Sequence, residues 1–160
     1  MSRLVDNIFT LQNNVFALTP LLISFYKNLQ SREKDMLLAY FVFPLVLNQE
    51  CIENIKQLNR HSQLSRITRD KDIMAGFEER FEFYKNITNR CLQYALDCGY
   101  IEIDKNLTVH VISNEQMFTD PILTNSLKLS SILYRVFTRN VINTYYSFGL
   151  KKLRNAISVT

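Results

Sequence analysis

One uninterrupted apolar run constrains this chain more than any other feature: Leu37-Leu38-Ala39-Tyr40-Phe41-Val42-Phe43-Pro44-Leu45-Val46-Leu47. A proline lies inside it, and a polar stop, Asn48-Gln49-Glu50, follows at once. A helix that is apolar on every side has to be buried on every side. The run is therefore expected at the centre of a packed core. Pro44 has no N–H for the Tyr40 carbonyl and its ring crowds that turn, so the helix is expected to end or kink there. The run is also too short to cross a bilayer, which takes roughly 20 residues.

The remaining composition supports an ordered globule. A chain of 160 residues is expected to form one domain, 1–160, burying roughly 70% of its unfolded surface. With 47% hydrophobic residues and only 3 Gly and 3 Pro, it has the apolar content to fold and few breakers. The aromatic load is 8 Tyr and 11 Phe; these rings either fill the core or serve an interface, where aromatics are enriched. The formal charge of +4 tolerates an acidic partner or nucleic acid without demanding either.

Cys51, Cys91 and Cys98 form no CxxC pair. Cys91 and Cys98 stand seven apart in a helical pattern, so all three read as reduced, buried thiols. The start, Met1-Ser2-Arg3-Leu4-Val5-Asp6, lacks a continuous apolar signal region. A soluble, cytoplasmic protein is expected, with no membrane partner.

Taken in order, residues 1–14 suit a short helix or an arm. Thr19-Pro20 offers a cap and a first-turn proline for a helix lined by Leu21, Leu22, Phe25, Tyr26 and Leu29. Ser31 is expected to cap the next helix, with Glu33 and Asp35 near its positive end. Asn48 caps a short helix through Ile52, Ile55 and Leu58. Residues 59–72 are the least apolar part, a loop or a weakly packed helix. From Ile73 to Cys98 the period is helical, through Phe77, Phe81, Tyr84, Ile87, Cys91, Tyr94 and Ala95, and Gly99 stands where a C-cap glycine belongs. The period then becomes two: Tyr100 to Val111 predicts two short strands about an Asp104-Lys105-Asn106 turn. Ile101, Ile103, Leu107, Val109 and Val111 are expected to face the core, with Glu102, Thr108 and His110 in water. After the polar linker Ser113-Asn114-Glu115-Gln116, Asp120-Pro121 starts a long C-terminal helix, about 121–149, through Leu129, Ile132, Leu133, Val136, Phe137, Val141, Tyr145 and Phe148 to Gly149. The fold class is mainly α: a helical domain with a two-stranded β-hairpin, winged-helix-like over about 15–112, and a long C-terminal helix.

Chemistry is harder to find. Nucleophilic catalysis needs a Ser or Cys beside a His with an orienting acid, and His61 and His110 stand in dissimilar settings. No phosphate loop, dinucleotide fingerprint or HExxH pair is present. Glu78 and Glu82 lie on a helix face that solvation explains. The expectation is no enzyme, no catalytic or metal-binding residue and no cofactor. The basic residues are scattered except for Arg60, His61, Arg66, Arg69 and Lys71 and the tail Lys151, Lys152 and Arg154. Arg60, Arg66, Arg69 and Lys71, with Lys105 at the tip of the wing, are the candidate contacts to DNA or phosphate. A recognition helix over Asn54–Arg60 would carry amides but few cations, which is thin for a sequence-specific reader.

Three segments, in their order and spacing, resemble one family. Asn14-Val15-Phe16-Ala17-Leu18-Thr19-Pro20-Leu21-Leu22 is similar to its opening into a first buried helix. Leu38 to Asn48, with Phe43-Pro44-Leu45-Val46-Leu47-Asn48, is similar to its proline-centred apolar segment, where Asn48 replaces a frequent histidine. Arg90-Cys91-Leu92-Gln93-Tyr94-Ala95-Leu96, then Gly99 and a hairpin, is similar to its helix and wing. The family is the small middle component of three-component ABC systems, the group that includes the small subunit of Lamassu-type defence complexes. The resemblance covers about 14–112. It implies a non-catalytic adaptor in anti-phage or anti-plasmid defence, bridging an SMC-like ATPase subunit and a nuclease-type effector subunit. Such a subunit would help restrain the effector until foreign DNA is sensed, and DNA would be met through the complex. The rival reading is a stand-alone winged-helix DNA-binding transcriptional regulator.

Overall fold

The computed structural model describes residues 14–113 and 117–150. The expectations for residues 1–13, for Asn114–Gln116 and for the basic tail lie outside the described residues. The described chain is mainly helical, with a two-stranded antiparallel sheet. In order it runs α1 (Val15–Asn28), a 3₁₀ turn (Asp35–Leu38), α2 (Ala39–Val46), α3 (Gln49–Lys56), α4 (Ser65–Thr68), α5 (Lys71–Met74) and α6 (Phe77–Asp97). Strands β1 (Ile101–Ile103) and β2 (Val109–Val111) follow, then a 3₁₀ turn (Pro121–Leu123), α7 (Thr124–Leu133), a 3₁₀ turn (Tyr134–Val136) and α8 (Val141–Ser147). The sequence of helices followed by a hairpin is compatible with a winged-helix-like domain.

The apolar run is the centre of the core, as its composition requires. Ala39 and Phe41 through Val46 are buried, and the buried apolar residues from Ala17 to Leu150 form one cluster around them. Phe41 is the hub. Its ring lies 4.6–6.3 Å from those of Phe77, Phe81, Phe137, Tyr145 and Phe148, within the range where offset and edge-to-face pairs add to area burial. Core filling therefore accounts for most of the aromatic load.

A run with hardly a polar side chain cannot satisfy its own free backbone groups, so its neighbours do. Tyr26 of α1 donates its hydroxyl to the carbonyls of Asp35 (2.8 Å) and Met36 (3.1 Å). Tyr145 of α8 donates to the Leu37 carbonyl. At the far end Arg80 of α6 donates to the Pro44 carbonyl (3.2 Å), and Ser126 of α7 to that of Val46 (2.8 Å). Three helices thus hold the run by its carbonyls, and α1 holds the two residues before it.

Two of the three prolines, Pro20 and Pro44, lie inside helices. The first helix begins at Val15, where the Asn14 side chain accepts the Ala17 N–H, so Thr19-Pro20 lies inside it and is not its start. Thr19 turns its hydroxyl back onto the Val15 carbonyl at 2.7 Å. Pro44 likewise sits inside α2, which continues to Val46. The turn of direction comes after it: the segments Asp35–Val46 and Gln49–Lys56 meet at 107°. Asn48 caps α3 as expected, accepting the Glu50 N–H. Among the described residues no single helix is long and apolar enough to cross a membrane.

Other corrections follow from local geometry. Ser31 is not the cap of the second helix; the Asp35 carboxylate takes the Arg32 N–H instead. Residues 59–72 hold one short helix, α4, and the first two residues of α5, which runs on to Met74. The long helix starts at Phe77 and not at Ile73, because Gly76 breaks the chain at φ +67°, a conformation costly for residues with a Cβ. Its end is as expected: Tyr100 N–H bonds the Ala95 carbonyl and Gly99 N–H that of Leu96, a Schellman motif. Cys98, however, is exposed while Cys51 and Cys91 are buried, since the last turn of α6 runs past the core. The single C-terminal helix is two, α7 and α8, divided at residues 137–140, where Phe137 leaves the helical region and Asn140 caps α8.

Candidate interaction surfaces

The hairpin pairs Ile101 with Val111, Glu102 with His110 and Ile103 with Val109. Its turn differs from expectation. Leu107 is exposed, at φ +58°, and Thr108 is buried, its hydroxyl donating to the Arg32 carbonyl at 3.0 Å. Sequence alternation could not show this, because it assumes an extended backbone, and a left-handed residue shifts the faces by one.

What fastens the turn is the loop before α2. Lys34, itself at φ +64°, donates its N–H to the Asn106 carbonyl (2.9 Å), and Met36 donates to that of Leu107 (3.0 Å). The fully buried Asp35 accepts the N–H of Val109 on one carboxylate oxygen (2.8 Å) and that of Arg32 on the other (2.9 Å). Burial raises the Asp35 pKa from its ordinary value, opposed by those two hydrogen bonds and by the Arg32 and His110 charges. On the solvent side His110 Nε2 stands 3.0 Å from Asp104 Oδ2, which holds Asp104 below its ordinary value.

The candidate contact residues are all exposed. Arg66 bonds Gln57 at 3.3 Å, Arg69 ends α4 and Lys71 begins α5. Lys105 stands on the hairpin turn, which packs on residues 32–36. Arg60 belongs to a cleft that contains none of the other four. His61 lies beside Arg60, with 3.3 Å between Arg60 Nε and its Nε2. No group of three or more His, Cys, Asp or Glu among the described residues could hold a metal ion. Burial pushes the Cys51 and Cys91 thiols up to about 11.

Sequence reasoning passed over Arg80 altogether. Its guanidinium bonds the carbonyls of Pro44 (3.2 Å), Ile73 (2.7 Å) and Ala75 (2.6 Å), joining α2, α5 and α6.

Some apolar side chains stay outside the core. Phe16 is 69% exposed and rests edge-on against Tyr94, at 5.0 Å. Tyr94 in turn meets Tyr100 at 6.2 Å, and Ile112, hydrogen-bonded to Tyr100, is also exposed. These four make an apolar ledge where the start of α1, the end of α6 and the base of the hairpin meet. Phe118 is 81% exposed.

A family model described as the ABC-three component (ABC-3C) system Middle Component 3 matches residues 2–152. The chain belongs to that family. Comparisons with curated proteins and with solved structures give no match. A middle component of a three-component system works with partner subunits, so the surfaces of this middle component matter more than any single residue. The match also covers the C-terminal helices, which the resemblance at 14–112 did not reach.

Proposed function

We propose that this middle component is a non-catalytic adaptor of a Lamassu-type defence complex, acting in the cytoplasm. It bridges an SMC-like ATPase subunit and a nuclease-type effector subunit, and helps restrain the effector until foreign DNA is sensed. The observation that carries the reading is membership of a middle-component family over nearly the whole chain. The exposed Phe16 and Ile112, beside the half-buried Tyr94 and Tyr100, support it, because large apolar side chains left in water are characteristic of subunit contacts.

Purification of the tagged full chain from its native host tests this. A large ATPase and an effector should co-purify, and Phe16→Ser should reduce their recovery without lowering the melting temperature. Sequence-selective DNA binding by the chain as a homodimer, without such partners, would overturn the adaptor in favour of a winged-helix regulator. Turnover that depends on His61 or His110 would overturn its non-catalytic character.

A further inference from the structure

Four arginines from separate parts of the chain, Arg32, Arg60, Arg135 and Arg139, line one cleft of about 500 Å³, and no Asp or Glu lines it with them. Among the described residues no salt bridge includes an arginine. None of the hydrogen bonds of their guanidinium groups goes to a carboxylate. Arg32 donates to the carbonyls of Gln30 (3.3 Å) and Arg139 (2.6 Å), and Arg135 donates to that of Leu58 (2.9 Å). These bonds hold two guanidinium groups in place without an ion pair. The Nε of Arg135 is buried with no hydrogen-bond partner, and a buried donor left unpaired is costly. Asp35, whose charge acts on Arg32, spends its oxygens on the backbone N–H groups of Arg32 and Val109.

An arrangement of this kind is completed by an anion. Arginine forks match phosphate oxygens in pairs, and a phosphate monoester carries nearly two charges where a carboxylate carries one. The cleft is larger than a bare phosphate needs and lies in the size range of small-molecule sites, about 300–1,000 Å³. Tyr134 and Asn140 also line it, residue types that can stack and hydrogen-bond beyond the charge. We propose that this cleft binds the phosphate group of a nucleotide, either free or at the end of a nucleic-acid strand. The site is independent of the adaptor reading.

Calorimetric titration of the full chain in phosphate-free buffer tests it, with AMP, a 5′-phosphorylated DNA hexamer, the same hexamer with a 5′-hydroxyl, and hexaglutamate as probes. AMP or the phosphorylated hexamer should bind; binding of AMP identifies a free nucleotide as sufficient, and binding of the hexamer alone identifies the strand end. The Arg60→Ala/Arg139→Ala double variant, changed at two exposed positions, should bind at least tenfold more weakly with an unchanged melting temperature. Arg139→Gln alone should lose about threefold, which keeps the test open if the double variant is unstable. Four results would overturn the proposal: no binding of either phosphorylated probe, equal affinity for the two hexamers, hexaglutamate binding as tightly as AMP, or variants that bind like the wild type.

Discussion

The carboxylate of Asp35 accepts the backbone N–H of Val109 at 2.8 Å across 74 residues of chain, and with its other oxygen it holds Arg32. One buried side chain thereby fixes the hairpin to the loop that leads into the apolar core. Asp35→Ala leaves both N–H groups without an acceptor, at about 1–3 kcal/mol for a buried one. We expect a loss of about 2–3 kcal/mol in urea denaturation. Hydrogen exchange should locate it: amides of residues 106–111 should lose protection before those of α6. Uniform loss of protection would show that the residue does not act through the hairpin.

The same residue sets a pH dependence. Its folded pKa is raised by burial, so between the unfolded value, about 3.9, and the folded one the native state binds more protons than the unfolded chain. Asp35 therefore disfavours folding increasingly as pH rises through that window, with no further change above it. The unfolding free energy of the wild type relative to Asp35→Asn should fall as pH rises from about 3.5 and then become level. A difference that rises with pH would mean that the two hydrogen bonds outweigh burial. Asp104, held low by His110, has the opposite sign and is common to both proteins, so it cancels in the comparison.

The part of this fold that was legible in sequence is the part governed by local rules. The stripe from Phe77 to Ala95, the Asn48 cap, the Gly99 stop and the start at Asp120-Pro121 each depend on residues within one turn of each other. Pro20 misled because proline is least costly in the first turn of a helix, yet it lies deeper in α1; Pro44, read as an end or kink, lies two residues before the end of α2. At Pro44 the surrounding helices supply what local rules do not, Arg80 and Ser126 taking up end carbonyls of α2. The arginine cleft was illegible for a related reason. Arg32 and Arg139 meet across 107 residues, and no period in the sequence records that meeting. Asp35 looked like a helix-dipole acid because nothing near it in sequence reveals Val109.

Phe41 is the position where core packing is most exposed to substitution. Five rings surround it, drawn from α6, α8 and the segments flanking α8, so no single helix can shift to fill the space. Phe41→Ala should cost about 3–5 kcal/mol, and Phe41→Leu less than half of that. The denaturation midpoint should move with little change in slope. A loss under 1 kcal/mol would show that the core collapses around the vacancy.

Arg80 tests whether geometry or charge matters at the junction of α2, α5 and α6. Its three carbonyl bonds and a 3.7 Å contact with Cys51 Sγ use the fork of the guanidinium. Arg80→Ala should cost about 2–3 kcal/mol, allowing for its partial exposure. Arg80→Lys keeps the charge but offers one nitrogen in place of three, and should recover less than half of the loss. Full recovery by lysine would assign the effect to charge alone.

The three cysteines should separate by reactivity. Alkylation requires the thiolate and access to it. Cys51 and Cys91 are buried, with thiols pushed up to about 11, so at pH 7.5 almost none of either is ionised or reachable. Cys98 is exposed at the end of α6. Native protein treated with iodoacetamide should therefore take up one label, mapped by mass spectrometry to Cys98, and three after denaturation. Because Cys98 lies at the end of α6, between Tyr94 and Tyr100 in sequence, its labelling also reports on the apolar ledge. Protection of Cys98 in the purified complex, with free reaction in the isolated chain, would place a partner subunit over that ledge. Equal labelling in both states would direct the search for the interface elsewhere.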